Sequence, residues 1–337
     1  MKHYNWDIFH IPQKAIPRLR QLVQATYLIF CLWTGWRFFL FFKWATGQSS
    51  QFIPRPPAVE AFLPISALVG LKQFVLTGRY DAIHPAGLTV FMAAVATSFL
   101  WRKGFCGWIC PVGTISNLIE KAGRKIGVTI RLPAWIDLPL LGLKYLLLGF
   151  FLYFVLWKMD MSSIEAFIRS PYNMAADAKM LQFFLSPSET VLGTIAGLML
   201  VSLFIKNFWC RYLCPYGALL GILAILGPTQ IRRDTDLCTG CKRCENACPS
   251  SIRIMKKSTI RTAECIGCME CVSTCPVNGC LEPSTSFWKR TPLLVIPLGT
   301  ICTLLIFWLT AKGTGHWNTT ISPYLFKKIY QIQQIMH

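Results

Sequence analysis

Twelve of the fifteen cysteines fall into two spacings suited to holding metal. The denser spacing is C-x2-C-x2-C-x3-C-P, which occurs twice in succession: CTGCKRCENACP from Cys238 and CIGCMECVSTCP from Cys265. Three closely spaced thiolates can grip one face of an iron–sulfur cubane, while the fourth, past a turn fixed by its proline, reaches a second cluster. By that rule Cys238, Cys241, Cys244 and Cys275 hold one [4Fe-4S] cluster, and Cys265, Cys268, Cys271 and Cys248 hold the other. A zinc site would more usually use two pairs separated by a long spacer. Cys280 is left over and is expected as a packed thiol.

The looser spacing is C-x3-C-P. FCGWICPVG runs from Phe105 and WCRYLCPYG from Trp209, so one phrase is written twice. Pro111 and Pro215 cannot sit inside a helix and bias the residue before them toward extended backbone. A helix should therefore begin at each proline, with Cys110 and Cys214 at its N-cap, where the helix end favours thiolate. Cys106 and Cys210 stand four residues earlier. Packed together, the two copies would bring these four thiolates to one point and hold a third iron–sulfur or iron centre. The alternative is that they are structural thiols of a tight turn, with Cys31 and Cys302 as ordinary buried examples. No C-x-x-C-H occurs, so no c-type haem is attached, and none of the five histidines lies in mid-span to ligate a b-type haem.

The elements that position these cysteines are membrane helices. The 337 residues are 53% hydrophobic and 15% charged, whereas a soluble domain is nearer a quarter charged. Apolar stretches near the ~20 residues of a bilayer core lie at Gln21 to Phe42, Pro85 to Trp101, Leu138 to Trp157, Glu189 to Ile205 and Pro292 to Ala311. The first is expected as a retained anchor, since no clear small-x-small cleavage site follows it. With the amino terminus inside, 22 Lys and Arg fall in inner segments against 10 in outer ones, the bias that sets orientation. The formal charge of +19 thus reflects topology and anionic lipid, and no nucleic-acid motif accompanies it. Thirteen cysteines then lie in or beside cytoplasmic segments, where ligation is favoured over disulfides.

The expected fold is mainly α: a polytopic bundle of about five spans with an internal pseudo-twofold repeat and an inserted bacterial-type 2[4Fe-4S] ferredoxin domain. Residues 1–20 form a cytoplasmic segment, 21–229 a four-span membrane domain with both C-x3-C-P phrases, 230–283 the ferredoxin domain, 284–311 the fifth span and 312–337 an outer tail. VEAFLPISALVGLKQFVLTG suits a helix at the outer interface, TISNLIEKAGRKIG an amphipathic surface helix, and SPYLFKKIYQIQQIMH another on the outer surface. Ser162 and Glu165 read as a capping box, and Ser186, Pro187 and Glu189 as the start of the fourth span.

The two C-x3-C-P phrases, the two cluster motifs and the spans together resemble the NapH, NosR and CcoG/FixG group of membrane polyferredoxins, and the YccM-like proteins, over about Gln21 to Ala311. NosR carries an outer flavin-binding domain ahead of its spans, whereas about 20 residues precede the first span here; CcoG ends in an outer immunoglobulin-like domain, whereas 26 follow the fifth. The resemblance is therefore nearest the NapH and YccM-like branches. It implies electron transfer between the quinol pool of a bacterial cytoplasmic membrane and another redox protein, as a subunit of a larger complex or alone. Quinone or quinol would be the substrate, and a headgroup site needs a proton acceptor near the interface. Glu60, Asp81 and His84 are the outer candidates. Arg37 and Lys144 lie within spans, where charge is costly and often functional, although Lys144 could snorkel. Two alternatives remain open at this level: a metal-reducing maturation factor like CcoG, and a relay subunit without catalysis of its own.

Overall fold

Among the described residues six α-helices begin at a proline, which lacks the N–H that a first turn leaves unbonded and already holds a helical φ. The computed structural model describes residues 12–286, 288 and 290–335, so His3, His10 and His337 lie outside the described residues. Helix α1 spans Ile16–Ala45, α2 Pro64–Thr77, α3 Pro85–Leu100, α4 Pro111–Ile126 and α5 Ala134–Leu152, which continues as a π-turn over Tyr153–Lys158. Next come α6 (Met161–Ile168), α7 (Pro171–Met174), α8 (Ala176–Leu185), α9 (Glu189–Phe204) and α10 (Pro215–Leu226). Strand β1 (Thr229–Arg233), α11 (Arg243–Ala247), β2 (Thr259–Ile260), α12 (Glu270–Ser273) and β3 (Leu281–Thr285) form the cysteine-rich insertion, and α13 (Val295–Gly313) and α14 (Pro323–Ile335) end the chain.

The chain divides into two compact units, and the division falls inside α1, α3, α5, α9 and α13, the helices at the five expected spans. Helices α1, α5 and α13 are long and apolar enough to cross a membrane, each α1 and α5 counted with the short turn that adjoins it. The second and fourth spans are short and end within one residue of the expected bounds. Helices α3 and α9 have 16 residues each, about 24 Å at 1.5 Å per residue, and α9 qualifies only together with α8, to which it is bent by 80°.

The first unit comprises residues 1–28, 94–148 and 197–304. Its antiparallel sheet has the order β2-β1-β3, with Ile231 opposite Ile260 and Thr229 opposite Thr285. Ile231, Ile254, Ile260 and Val272 of the insertion are buried in one core with Ile16, Trp108 and Ile109. Helix α4 buries Ser116, Asn117 and Glu120 and turns Val112, Ile115 and Leu118 outward, an orientation suited to lipid rather than water.

The second unit comprises residues 29–93, 149–196 and 305–337. Phe38, Phe41 and Trp44 of α1 pack with Phe326, Ile329 and Tyr330 of α14. The last helix is thus packed along one face, where the sequence suggested only a surface helix. The Ser162/Glu165 capping box is corrected: α6 is capped by Asp160, whose Oδ1 accepts from Ser163 N at 2.9 Å while Ser162 Oγ donates to Oδ2. Asp, one of the strongest N-caps, takes the role two residues earlier. Helix α9 starts at Glu189, but the Ser186 start signal is corrected: Ser188 Oγ accepts from Val191 N, whereas Ser186 Oγ donates to Gln182 O at the end of α8. Cys31 is half-buried and Cys302 exposed, so neither is the buried thiol expected; on spans whose partner is lipid, apolar side chains need not point into protein.

Candidate iron–sulfur and quinol sites

Each C-x3-C-P phrase folds the same way. Phe105–Ile109 and Trp209–Leu213 are π-turns, Cys110 (φ −60, ψ 121) and Cys214 (φ −73, ψ 106) are extended N-caps, and α4 and α10 begin at Pro111 and Pro215. Cys214 Sγ accepts from Gly217 N at 3.3 Å. Gly113 is required by close approach, since a Cβ there would stand 2.6 Å from the Cys106 carbonyl oxygen; at Gly217 the matching distance is 3.5 Å.

The two copies come together. Cys106 lies within electrostatic reach of Cys110 and Cys214, and Cys210 within reach of all three. Phe105 of the first phrase packs edge-on against Tyr216 of the second, centroids 6.3 Å apart. Burial pushes the Cys106 thiol up to about 12 and raises Cys210 as well, so the bare site favours thiols and a metal would have to displace protons. Lys103 opposes that shift at Cys106. Its side chain is buried, and among the described residues it forms no salt bridge. An ammonium taken out of water without a carboxylate calls for another anion, which four thiolates on iron would provide. The residues therefore fit an anionic cluster.

The insertion repeats its own backbone. In both copies the glycine before the second cysteine is left-handed (Gly240 φ 73, Gly267 φ 61), as is the residue after it (Lys242 φ 57, Met269 φ 60). Left-handed backbone is costly for a side-chain-bearing residue and persists where the surroundings enforce it. Cys238, Cys241, Cys244 and Cys275 line one small pocket, open to solvent in part, together with Lys242, Met255 and Cys280. Cys271 lies within electrostatic reach of Cys248, Cys265 and Cys268, and also of Cys244. The structure thus gathers the first quartet around one pocket, with Cys280 as a buried neighbour, and sets the cysteines of the second near one another and near Cys244. Among the described residues no three His, Cys, Asp or Glu converge to hold a single metal ion.

Residues that sequence reasoning missed fasten the insertion to the first phrase. Trp108 Nε1 donates to Gly267 O at 3.0 Å, and a Cβ on Gly107 would meet Ile266 O at 2.3 Å. Arg20 donates through Nε to Gly107 O at 2.9 Å and through Nη1 to Glu270 at 3.0 Å, and Gln24 also donates to Gly107 O. Helix α5 holds two further points: Asp137 accepts from Arg211 and Tyr212, and Lys144 meets both oxygens of Glu264 at 2.7 Å. Lys144 is fully buried and reaches Glu264 instead of snorkelling. Arg37 lies near the Trp33 ring, 5.9 Å from its centroid. The only sequence signal for these contacts was charge in or beside apolar stretches.

In the second unit Glu60, Asp81 and His84 are all buried and gather with Arg55, Asn173, Asp177 and Tyr330. Arg55 ion-pairs with Glu60 and with Asp177, and Tyr330 donates to Asp177 at 2.7 Å. Glu60 Oε2 accepts from Ala86 N and Gly87 N, capping α3. His84 Nε2 contacts Asn173 O at 2.8 Å and, facing a carbonyl, is the protonated nitrogen. Its Nδ1 has two alternative partners: Arg55 Nη2 at 3.4 Å, which can donate to a neutral ring, and Glu60 Oε1 at 3.8 Å, which can pair with a charged one. Asp81 Oδ1 accepts from Ile83 N and His84 N, whereas buried Oδ2 has no hydrogen-bond partner, and burial raises the carboxyl's pKa.

A family model described as a 4Fe-4S binding domain matches residues 83–129 and 190–233, the two segments that carry the C-x3-C-P phrases. A second, a 4Fe-4S dicluster domain, matches 230–276. Over 92% of its length the chain is 38% identical to YccM of Escherichia coli, a protein named for a proposed role in electron transport, and covers 88% of it. The ferredoxin-type protein NapH of Haemophilus influenzae is 30% identical over 50% of the chain and 55% of its own length. The regulatory protein NosR of Stutzerimonas stutzeri is 29% identical over 69% of the chain, which covers 29% of NosR. No solved structure matches.

Proposed function

The chain belongs to the membrane polyferredoxin family that includes YccM, NapH and NosR, and we propose that within this electron-transport family it exchanges electrons between membrane quinol and a redox partner. Cys238, Cys241, Cys244 and Cys275 would hold one [4Fe-4S] cluster, Cys248, Cys265, Cys268 and Cys271 the second, and Cys106, Cys110, Cys210 and Cys214 a third centre. Such groups, when bound, supply one-electron donors and acceptors. Around them the chain's own side chains act as fixed charges and fasteners: Lys103 beside Cys106, Lys144 on Glu264 next to Cys265, and Arg20 on Glu270. His84 and Asp81 would take up quinol protons, with Nδ1 of His84 turning from Arg55 to Glu60 as it is protonated. The amino terminus and insertion are assigned to the cytoplasm and the carboxyl terminus to the outer side, supported by the basic bias of 22 to 10.

The observation that carries this reading is the meeting of four thiols from two separate phrases beside the loop that precedes Cys268. Iron and acid-labile sulfide analysis of anaerobically purified protein, with EPR, tests it. Cys106→Ala and Cys210→Ala are each expected to abolish the same signal, leaving both clusters of the insertion, and the double variant to be no worse than either. Separate signals lost by the two variants would refute a shared centre.

A further inference from the structure

We propose that the surface around Cys241 docks an acidic one-electron carrier protein, steered there by Lys242, Arg243, Lys256 and Lys257. This rests on the reading that the eight insertion cysteines hold clusters. The two copies of the motif share a backbone and differ in what covers it. In the second copy Cys265 and Cys268 are buried, and the intervening loop is covered by Gly107 and Trp108. In the first copy Cys241 is exposed, and so are Thr239, Gly240, Lys242 and Arg243 around it. The left-handed residue after the second cysteine makes the contrast sharpest: Met269 is buried, whereas Lys242 is exposed on the rim of the thiol-lined pocket. One copy faces the membrane phrases and the other faces out.

Charge identifies what the outward copy meets. Met255 lines the same pocket, and Lys256 and Lys257, which follow it, are exposed. Three acidic groups of the insertion are ion-paired, Glu264 with Lys144, Glu270 with Arg20 and Glu282 with Arg290, while Glu245 and Asp234 accept bonds from backbone N–H groups and keep their charge. Asp236 is exposed. Against these three carboxylates stand Lys242, Arg243, Lys256 and Lys257, so the rim carries a net positive charge, which raises the encounter rate of an acidic partner. The exchange moves a single electron between carrier and protein, with no bond made or broken and no proton transferred. Anionic lipid also attracts lysines, but a bilayer seated here would cover the exposed thiolate pocket and leave the electron no acceptor.

The test is stopped-flow oxidation of the dithionite-reduced full chain in phosphatidylcholine nanodiscs, with ferricyanide and hexaammineruthenium(III) as oppositely charged one-electron oxidants. The variants are Lys242→Glu with Arg243→Glu, and separately Lys256→Glu with Lys257→Glu, so that one pair remains if the other disturbs a cluster. Lys125→Glu with Lys328→Glu makes the same change in net charge elsewhere. Each rim pair is expected to slow ferricyanide about tenfold at low salt and to speed the ruthenium complex, with both effects lost near 1 M salt. Poly-L-glutamate is expected to slow the wild type and not the variants. Rim pairs that behave like the control, with EPR signals intact, overturn the docking face alone. A wild type without iron–sulfur signals overturns the cluster reading and the docking face with it. If replacing phosphatidylcholine by phosphatidylglycerol blocks ferricyanide for the wild type but not for the rim variants, the patch lies on lipid and the proposal fails.

Discussion

The indole N–H of Trp108 donates to the carbonyl oxygen of Gly267 at 3.0 Å, so a side chain inside the first C-x3-C-P phrase ends on the loop between Cys265 and Cys268. Trp108 is fully buried. Neither group has water to fall back on, which makes the bond a requirement of the packing rather than a surplus.

Trp108→Phe keeps most of the ring volume and leaves Gly267 O without its donor. The expected cost is about 1–3 kcal/mol. It should appear as a lower midpoint for thermal bleaching of the visible iron–sulfur absorbance, with iron content at low temperature unchanged. A midpoint equal to that of the wild type would show the bond to be dispensable.

Lys103→Met removes a buried positive charge beside Cys106 while keeping a side chain of similar length. A cation favours the reduced, more negative form of a neighbouring centre, so its loss should lower that centre's midpoint potential. A tenfold change in the one-electron equilibrium corresponds to about 59 mV, a shift that an EPR-monitored redox titration resolves. Lys103→Arg should restore the wild-type value, which a purely structural role would not require.

His84 predicts a pH dependence of stability. Burial disfavours the charged ring and Arg55 repels it, but the pull of Glu60, 3.8 Å from Nδ1, and the charge of Asp177 outweigh both and raise its pKa. A proton held more tightly in the folded state stabilises fully below the unfolded value of about 6.5 and is lost as pH rises through the higher folded value. Thermal stability of the wild type should fall across that window, and His84→Gln should lack the step. Parallel profiles for the two proteins would remove the charged His84–Glu60 pair.

Topology is open to direct measurement. Reporter fusions at Gly47 and His337 are expected to read outside, and fusions at Gly127 and Ser258 inside. An inside signal at His337 would mean that α13 does not cross.

The iron–sulfur character of the chain was legible because cysteine spacing is local, and the 4Fe-4S family models match the same segments. The helix starts at Pro111 and Pro215 were legible for the same reason. Long-range partners were not. Nothing near Arg55 announces Asp177, 122 residues away, or near Trp108 announces Gly267, 159 residues away. The ends of the second and fourth spans were legible to within a residue, but the left-handed breaks at Arg102 and Asn207 and the π-turns that follow them were not, since hydropathy does not register either.

Those two π-turns make chain length itself informative. A π-turn holds one residue more than the α-helical turn it replaces, and an α-helix advances about 100° per residue. Removing one residue between Cys106 and Cys110, or between Cys210 and Cys214, would let the turn relax to α-helix with little change of phase between its flanks, since the residue removed is the one the wider turn holds in excess. Adding one residue there would advance the chain by about 100° with no wider turn to close, and would carry the first thiol of each phrase away from the second without changing the identity of any other residue.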